Sequence, residues 1–480
     1  MRTPQRKRIP IRPELVRPDR RAFVKAMAMS MGLGAASLAL PGVTACSTGR
    51  RPSFVVALAD DLGYGDLGCY GHPFAKTPAI DELAANGIRF LSCYSAGANC
   101  SPARAGILTG RHPFRSGIYD WIPRGEDAHL PRDEITIASW LKRHGWATCF
   151  VGKWHLAGRM QSKHQSNPGT HGFEHWLATQ NDASPRIGAQ NFVLNGRLER
   201  SLGTGREPED SAHTVVHEAV RWLETQNERD PDTPVCLFVW FHEPHRPPVT
   251  TERFRKLFAD QPEPLASYYG SISHMDHAFG ELLEAFDTLG YGRDSLVLFT
   301  SDNGPTGGLG SSGGLRDDKG STYEGGIRVP CIARWTGSER AGKITNEPTI
   351  GTDVFPTLCE LAGIQPPTDR PVDGRSLLPA LEGGEIERDR PYFWYHPLHL
   401  YALRDGDWKL LADEAFGHVQ LYDVRTDPWE KSNLASREPE RVARLSNELR
   451  SLRAEVEAEG PTWTDWPSVD RLKQRLGPHP

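Results

Sequence analysis

Two groups of oxygen donors, Asp60-Asp61 and Asp302-Asn303, each follow directly on a short apolar run. Three carboxylates and an amide oxygen make a hard donor set that suits Ca²⁺ or Mg²⁺, whereas zinc would call for histidine or thiolate. Adjacent aspartates also cap helices and turns, but the same arrangement after two separate runs favours convergence on one cation. Asp66 is expected instead to satisfy backbone groups of the Gly63-Tyr64-Gly65 turn. The cationic counterpart is Arg104, Lys153 and Lys319, with His155 and His245 beside it. A single lysine or histidine is most often solvated, or satisfied within a core. Lys153 and His155, however, close a buried-strand pattern, and alternation along an extended segment would turn both to the same side. Lys319 falls in the Gly-rich stretch Gly304 to Gly326, where backbone can approach a ligand closely. The last candidate is Cys100, two residues before Pro102. Pro102 suits the first turn of a helix, whose unpaired N–H groups would gather an anion beside the Cys100 side chain, with Arg104 adding a fixed charge. The competing reading of Cys100 is a small buried hydrophobe.

Positioning these groups requires a frame. Four apolar, strand-like runs each end in a polar burst: Phe54 to Ala59 before Asp60, Thr148 to Val151 before Gly152-Lys153-Trp154-His155, Cys236 to Phe241 before His242-Glu243-Pro244-His245, and Ser295 to Thr300 before Ser301-Asp302-Asn303. Helical periodicity between them, at Ile80 to Asn86, Ile135 to His144, Ala212 to Gln226 and Ser271 to Leu289, indicates an α/β fold with a large, mostly parallel sheet covered on both faces. Ligands in such sheets gather at the carboxyl ends of the strands, so the polar bursts should meet at one site. Beyond Asp373 to Leu377 the pattern becomes short and alternating, at Tyr401 to Arg404, Trp408 to Leu411 and Gln420 to Asp423, which reads as a small antiparallel sheet. Val442, Leu445, Leu449, Leu452 and Val456 mark one face of a terminal helix that should pack on it.

Cys100-x-Pro102-x-Arg104 with Leu108-Thr109-Gly110-Arg111 resembles the signature of the type I sulfatases, with Ala103 where the commonest form has Ser. The resemblance extends from Phe54 to about Ala435. It takes in Asp60 to Asp66, Gly152 to His155, Pro244 to Pro247, Ser301 to Gly304, Lys319 to Pro330 and Leu421 to Asp423 in the family's order. It implies an alkaline-phosphatase-like core, with Cys100 oxidised to formylglycine by a maturation enzyme. It further implies that Asp60, Asp61, Asp302, Asn303 and the modified Cys100 bind one Ca²⁺. Lys153, Lys319 and Arg104 would offset sulfuryl charge, His245 and Lys319 would protonate the leaving oxygen, and His155 would act as base. The implied activity is hydrolysis of sulfate esters, with sulfated carbohydrate the expected substrate and arylsulfatase A-like and N-acetylgalactosamine-6-sulfatase-like members the nearest in motif order. A phosphonate or phosphate ester hydrolase would be expected to show extra cations near the site. A silent glycan-binding relative would not need Cys100.

The 480 residues carry 56 Lys and Arg against 61 Asp and Glu, a net charge of −5, so no basic field invites nucleic acid. Arg20-Arg21 followed by the apolar run Ala26 to Leu40 resembles a twin-arginine export signal too short to span a bilayer. Val43-Thr44-Ala45-Cys46 resembles a lipobox, so the mature protein is expected outside the cytoplasm, anchored only through lipid on Cys46. The expected organisation is therefore a signal over 1–45, a catalytic domain over 46–375 and a subdomain over 376–480. Of the eight cysteines, Cys149 and Cys236 sit in apolar runs and read as buried hydrophobes; Cys69, Cys93, Cys331 and Cys359 remain available for pairing in an oxidising compartment.

Overall fold

A computed structural model describes residues 50–181, 191–198, 211–396, 400–461 and 463. The stretch expected to act as an export signal, Cys46 and most of the C-terminal tail lie outside them. The main sheet has ten strands. Its labelled members are β1 (Ser53–Ala59), β2 (Ile88–Phe90), β3 (Ala147–Lys153), β4 (His175–Thr179), β5 (Val235–Trp240), β6 (Ser295–Ser301), β7 (Cys331–Trp335) and β8 (Lys343–Thr345). In space they run β8-β2-β7-β6-β1-β5-β3-β4, followed by the two-residue strands Val193–Leu194 and Arg197–Leu198. The five neighbours β6, β1, β5, β3 and β4 are mutually parallel; β7 runs against β6.

The apolar runs are continuous because the sheet is covered twice. Phe54, Val56 and Leu58 of β1 enter one core while Val55, Ala57 and Ala59 enter the other. Helices α1 (Pro78–Ala85), α4 (Ser211–Arg229) and α5 (Leu265–Thr288) cover the second face. Helices α2 (Cys100–Thr109), α3 (Ile137–Arg143) and α6 (Val354–Leu361) cover the first. Helix α5 starts ahead of its sequence pattern because Ala266, Tyr268 and Tyr269 extend the buried face toward its N-terminus.

Leu377, Ala380, Leu381 and Ile386 still belong to the large core, and the small sheet begins at β9 (Tyr392–Tyr395). It continues through β10 (Tyr401–Asp405), β11 (Trp408–Ala412) and β12 (Val419–Asp423), antiparallel in that order. On one face Leu403, Leu410 and Leu421 meet Leu445, Leu449 and Val456 of α7 (Pro439–Glu457). On the other, Trp394, Ala402, Leu411 and Tyr422 pack on Tyr94 and Ile327 of the catalytic region. The seven described cysteines are all unbridged.

Candidate active site

Because β1, β3, β5 and β6 are parallel, their carboxyl ends lie along one edge, and every candidate that closes them arrives there. Gly152, near the end of β3, has φ 111, and a Cβ there would stand 1.8 Å from the Trp240 carbonyl oxygen, so glycine is what lets β3 and β5 finish side by side. Cys100 is the first residue of α2, a fully buried helix that ends at Gly110 in the left-handed region.

The Cys100 Sγ is 3.5 Å from Lys153 Nζ, 3.4 Å from Lys319 Nζ and 3.6 Å from Asp60 Oδ1. Lys153 Nζ donates to Asp60 Oδ2 at 2.7 Å and Lys319 Nζ to Asp61 Oδ1 at 2.6 Å. Arg104 grips Asp302 Oδ2 through Nε at 3.1 Å and a terminal nitrogen at 2.7 Å, approaches Asp60 at 3.5 Å, and donates to the Lys153 carbonyl. His245 Nε2 stands 3.6 Å from Asp61 Oδ2. Asp60, Asp61, Cys100 and His245 offer ligand atoms all within 4.8 Å of one another. Asp302 and Asn303 join them through hydrogen bonds to Asp61, from its own N–H to Asp302 Oδ1 and from Asn303 Nδ2 to Asp61 Oδ1. Asp66 instead accepts from the Gly63 and Ser311 N–H groups and from Tyr268, holding the neighbouring turn.

The expected reason for the pairing of Lys153 with His155 is corrected by the backbone. β3 ends at Lys153, and His155 has φ 54, so no extended segment carries both residues. Instead Ser101 Oγ donates to the His155 carbonyl and Arg104 to that of Lys153, so α2 gathers the turning chain. His155 Nε2 lies 3.2 Å from the Ile122 carbonyl oxygen, so it carries the proton, which leaves the buried Nδ1, with no hydrogen-bond partner, holding the lone pair.

Burial works against charge on Asp60, yet Lys153, His245, Arg104 and Lys319 hold its carboxyl well below the ordinary range. Burial and the neighbouring Asp60 raise Asp302 to about 6. Burial, then Lys153 and Arg104, push His155 well below its usual value, so it is neutral at neutral pH. Burial disfavours the Lys319 ammonium, but Asp61 outweighs it and the group stays protonated. Burial pushes the Cys100 thiol up to about 12 despite both lysines, so an unmodified Cys100 is a poor nucleophile.

Asp60, Asp61 and Asp302 are buried, and the buried Asn303 Oδ1 accepts no hydrogen bond. Three acids and an orphaned amide oxygen fit a hard divalent cation such as Ca²⁺. The sequence reading passed over three nearby features. His242 is held by Thr179 at 2.7 Å. Asn99 Nδ2 reaches Asp120 at 2.6 Å and His396 at 2.8 Å, which brings the end of β9 to the residue beside Cys100. Glu324, five residues after Lys319, is locked to Lys409. Adjacency to Cys100 was the one available signal for Asn99; the others depend on contacts distant in sequence.

The sulfatase family profile matches residues 52–364, and the profile described as N-sulphoglucosamine sulphohydrolase, C-terminal, matches 315–456. The chain belongs to the sulfatase family. This sulfatase is 34% identical to N-acetylgalactosamine-6-sulfatase of Mus musculus over 394 residues, 77% of this chain and 73% of that one. It is 33% identical to arylsulfatase A of Homo sapiens over 479 residues, 88% and 91% of the two chains. Among solved structures, Ps i-CgsB in complex with k-i-k-neocarrahexaose superposes with a TM-score of 0.78 at 25% identity, covering 89% of this sulfatase and 97% of that chain. The sulfatase is accordingly a sulfuric ester hydrolase on the alkaline-phosphatase-like α/β fold that its sequence implied.

Proposed function

We propose that this sulfatase removes sulfate from sulfated carbohydrate, using formylglycine made from Cys100 by a maturation enzyme and one Ca²⁺ held by Asp60, Asp61, Asp302 and Asn303 together with residue 100. The observation that carries the proposal is the seating of Cys100 at the start of α2, between two lysine ammonium groups and against the buried acids. When present, the aldehyde hydrate supplies a nucleophilic hydroxyl and the calcium ion supplies positive charge for the sulfuryl oxygens. Lys153, Lys319 and Arg104 add fixed cations where negative charge grows, Lys153 and Arg104 fully buried and Lys319 partly so. Lys319, kept protonated by Asp61, holds a proton for the leaving oxygen, and His245 orients that oxygen and shares the task. His155, neutral with its lone pair on Nδ1, takes the proton released when sulfate departs.

Sugar as the carrier of the sulfate is supported by Trp121, an exposed indole 6.4 Å from the His155 ring, which offers a flat apolar face at the rim. It is supported also by the names of the relatives, an N-acetylgalactosamine-6-sulfatase and a protein solved with neocarrahexaose. The N-terminal motifs support export and a lipid anchor at Cys46. The test is sulfate release from a panel of defined sulfated sugars beside an aryl sulfate and an aryl phosphonate. A sulfated sugar should be turned over with the highest kcat/KM. Faster cleavage of the phosphonate would replace the proposal with phosphonate hydrolysis.

A further inference from the structure

On the sheet face remote from α2, α4 and α5 pack together and gather four of the chain's 18 histidines. His213 and His217 are one turn apart on α4. His274, His277 and Glu281 repeat that spacing on α5, so each helix presents one stripe to the other. His213 Nε2 is 3.3 Å from His277 Nδ1 and 3.5 Å from Glu281 Oε2. His277 Nδ1 is 3.6 Å from Glu281 Oε1, and His217 Nε2 is 3.9 Å from Glu281 Oε2. We propose that His213, His277 and Glu281, whose ligand atoms lie within 4.8 Å of one another, form the core of a binding site for a divalent transition metal of the Zn²⁺ class, with His217 reaching it from beside Glu281, separate from the catalytic calcium site.

The spacing is the main argument. Tetrahedral zinc with bonds near 2.0–2.1 Å holds its ligand atoms about 3.3–3.5 Å apart, and the two closest separations already have that value. The donor set agrees, because three imidazoles and one carboxylate select zinc over calcium, which takes oxygen alone. Glu281 Oε2 is buried and accepts no hydrogen bond, so it faces the imidazole nitrogens without a donor of its own. Arg253 points a donor at Nε2 of His277 from 3.4 Å, so a metal on Nδ1 would move the ring proton to Nε2 and displace Arg253 toward solvent. The surroundings hold the cluster in place: Phe254 stacks on His274 with ring centres 4.2 Å apart, and Thr250 is 3.4 Å from His274 Nδ1. A metal here would tie together α4, α5 and the 250–254 segment that follows His245.

The experiment is equilibrium dialysis of the purified protein against Zn²⁺ in buffer containing excess Ca²⁺, with metal counted by mass spectrometry. Wild type and Asp302→Ala should both retain about one zinc per chain, and His277→Gln and Glu281→Gln should retain none while keeping the wild-type circular dichroism. Co²⁺ should give an intense tetrahedral visible spectrum in wild type and Asp302→Ala but not in His277→Gln. Zinc should raise the thermal midpoint of wild type and leave that of His277→Gln unchanged, which separates a folded variant without the site from a damaged one. Zinc lost in Asp302→Ala but kept in His277→Gln would assign it to the catalytic acids and overturn the proposal. No retention by wild type would do the same.

Discussion

Replacing Lys409 by methionine removes the cation that bridges two buried acids, Glu324 and Glu430, at 2.9 and 3.0 Å, with all three side chains fully buried. Glu324 lies in the segment that carries Lys319, so this contact ties β11 of the small sheet to the catalytic loop. Burial opposes charge on Glu324, yet Lys409, Arg328 and Arg404 hold its carboxyl at about 2 against an ordinary 4.5. That lowering corresponds to about 3 kcal/mol shared among the three cations, Lys409 contributing the most; removing one partner of a buried pair is expected to cost roughly 3–5 kcal/mol. At about 2.1 cal/mol/K per residue, the roughly 390 described residues unfold with an entropy of about 0.8 kcal/mol/K, so the midpoint should fall by about 4 °C. A lowered acid contributes stability that is present above its unfolded value and lost as pH falls through its folded one. The gap between variant and wild type should therefore be full at pH 7 and shrink below about pH 4.5. Differential scanning calorimetry across that range measures it, with sulfate-ester turnover expected to fall alongside. A variant melting at or above wild type would refute the reasoning, since it would mean that apolar packing replaces the cation without loss.

Asp302→Ala should lose bound calcium and turnover together, on the order of 100-fold or more, with circular dichroism unchanged; full calcium content in an active variant would remove Asp302 from the ligand set. His155→Ala should lower kcat by roughly 10²–10⁴-fold. Because burial, Lys153 and Arg104 hold His155 low, the acid limb of kcat that it controls should lie below pH 6.5 and be absent from the variant; a limb that survives belongs to another group. Cys46→Ala should move the protein from the membrane fraction to the soluble one in cell fractionation, and a soluble wild type without lipid on Cys46 would contradict the anchor.

The strand ends were legible in the sequence because a sheet buried on both faces writes each strand as an unbroken apolar run, and Asp60, Lys153, His245 and Asp302 stand within four residues of the ends of such runs. Cys100 was legible through its helix-opening proline. β9 was not: Tyr392-Phe393-Trp394-Tyr395 feeds two cores, Tyr392 and Trp394 into one and Phe393 and Tyr395 into the other, so it shows no alternation to separate a strand from any aromatic stretch. The turn at His155 escaped because a left-handed residue other than glycine leaves no mark on periodicity. The Lys409, Glu324 and Glu430 contact and the histidine cluster escaped for a simpler reason, in that each joins elements far apart in the chain.

The central claim is that turnover depends on Cys100 in a modified form. Protein made with a competent maturation system should be digested, the peptide containing Cys100 examined by mass spectrometry, and the aldehyde fraction compared with the specific activity of the same preparation. The account predicts an aldehyde at Cys100, activity proportional to its fraction, and a folded but inactive Cys100→Ala. A fully active preparation whose Cys100 is entirely thiol would contradict it.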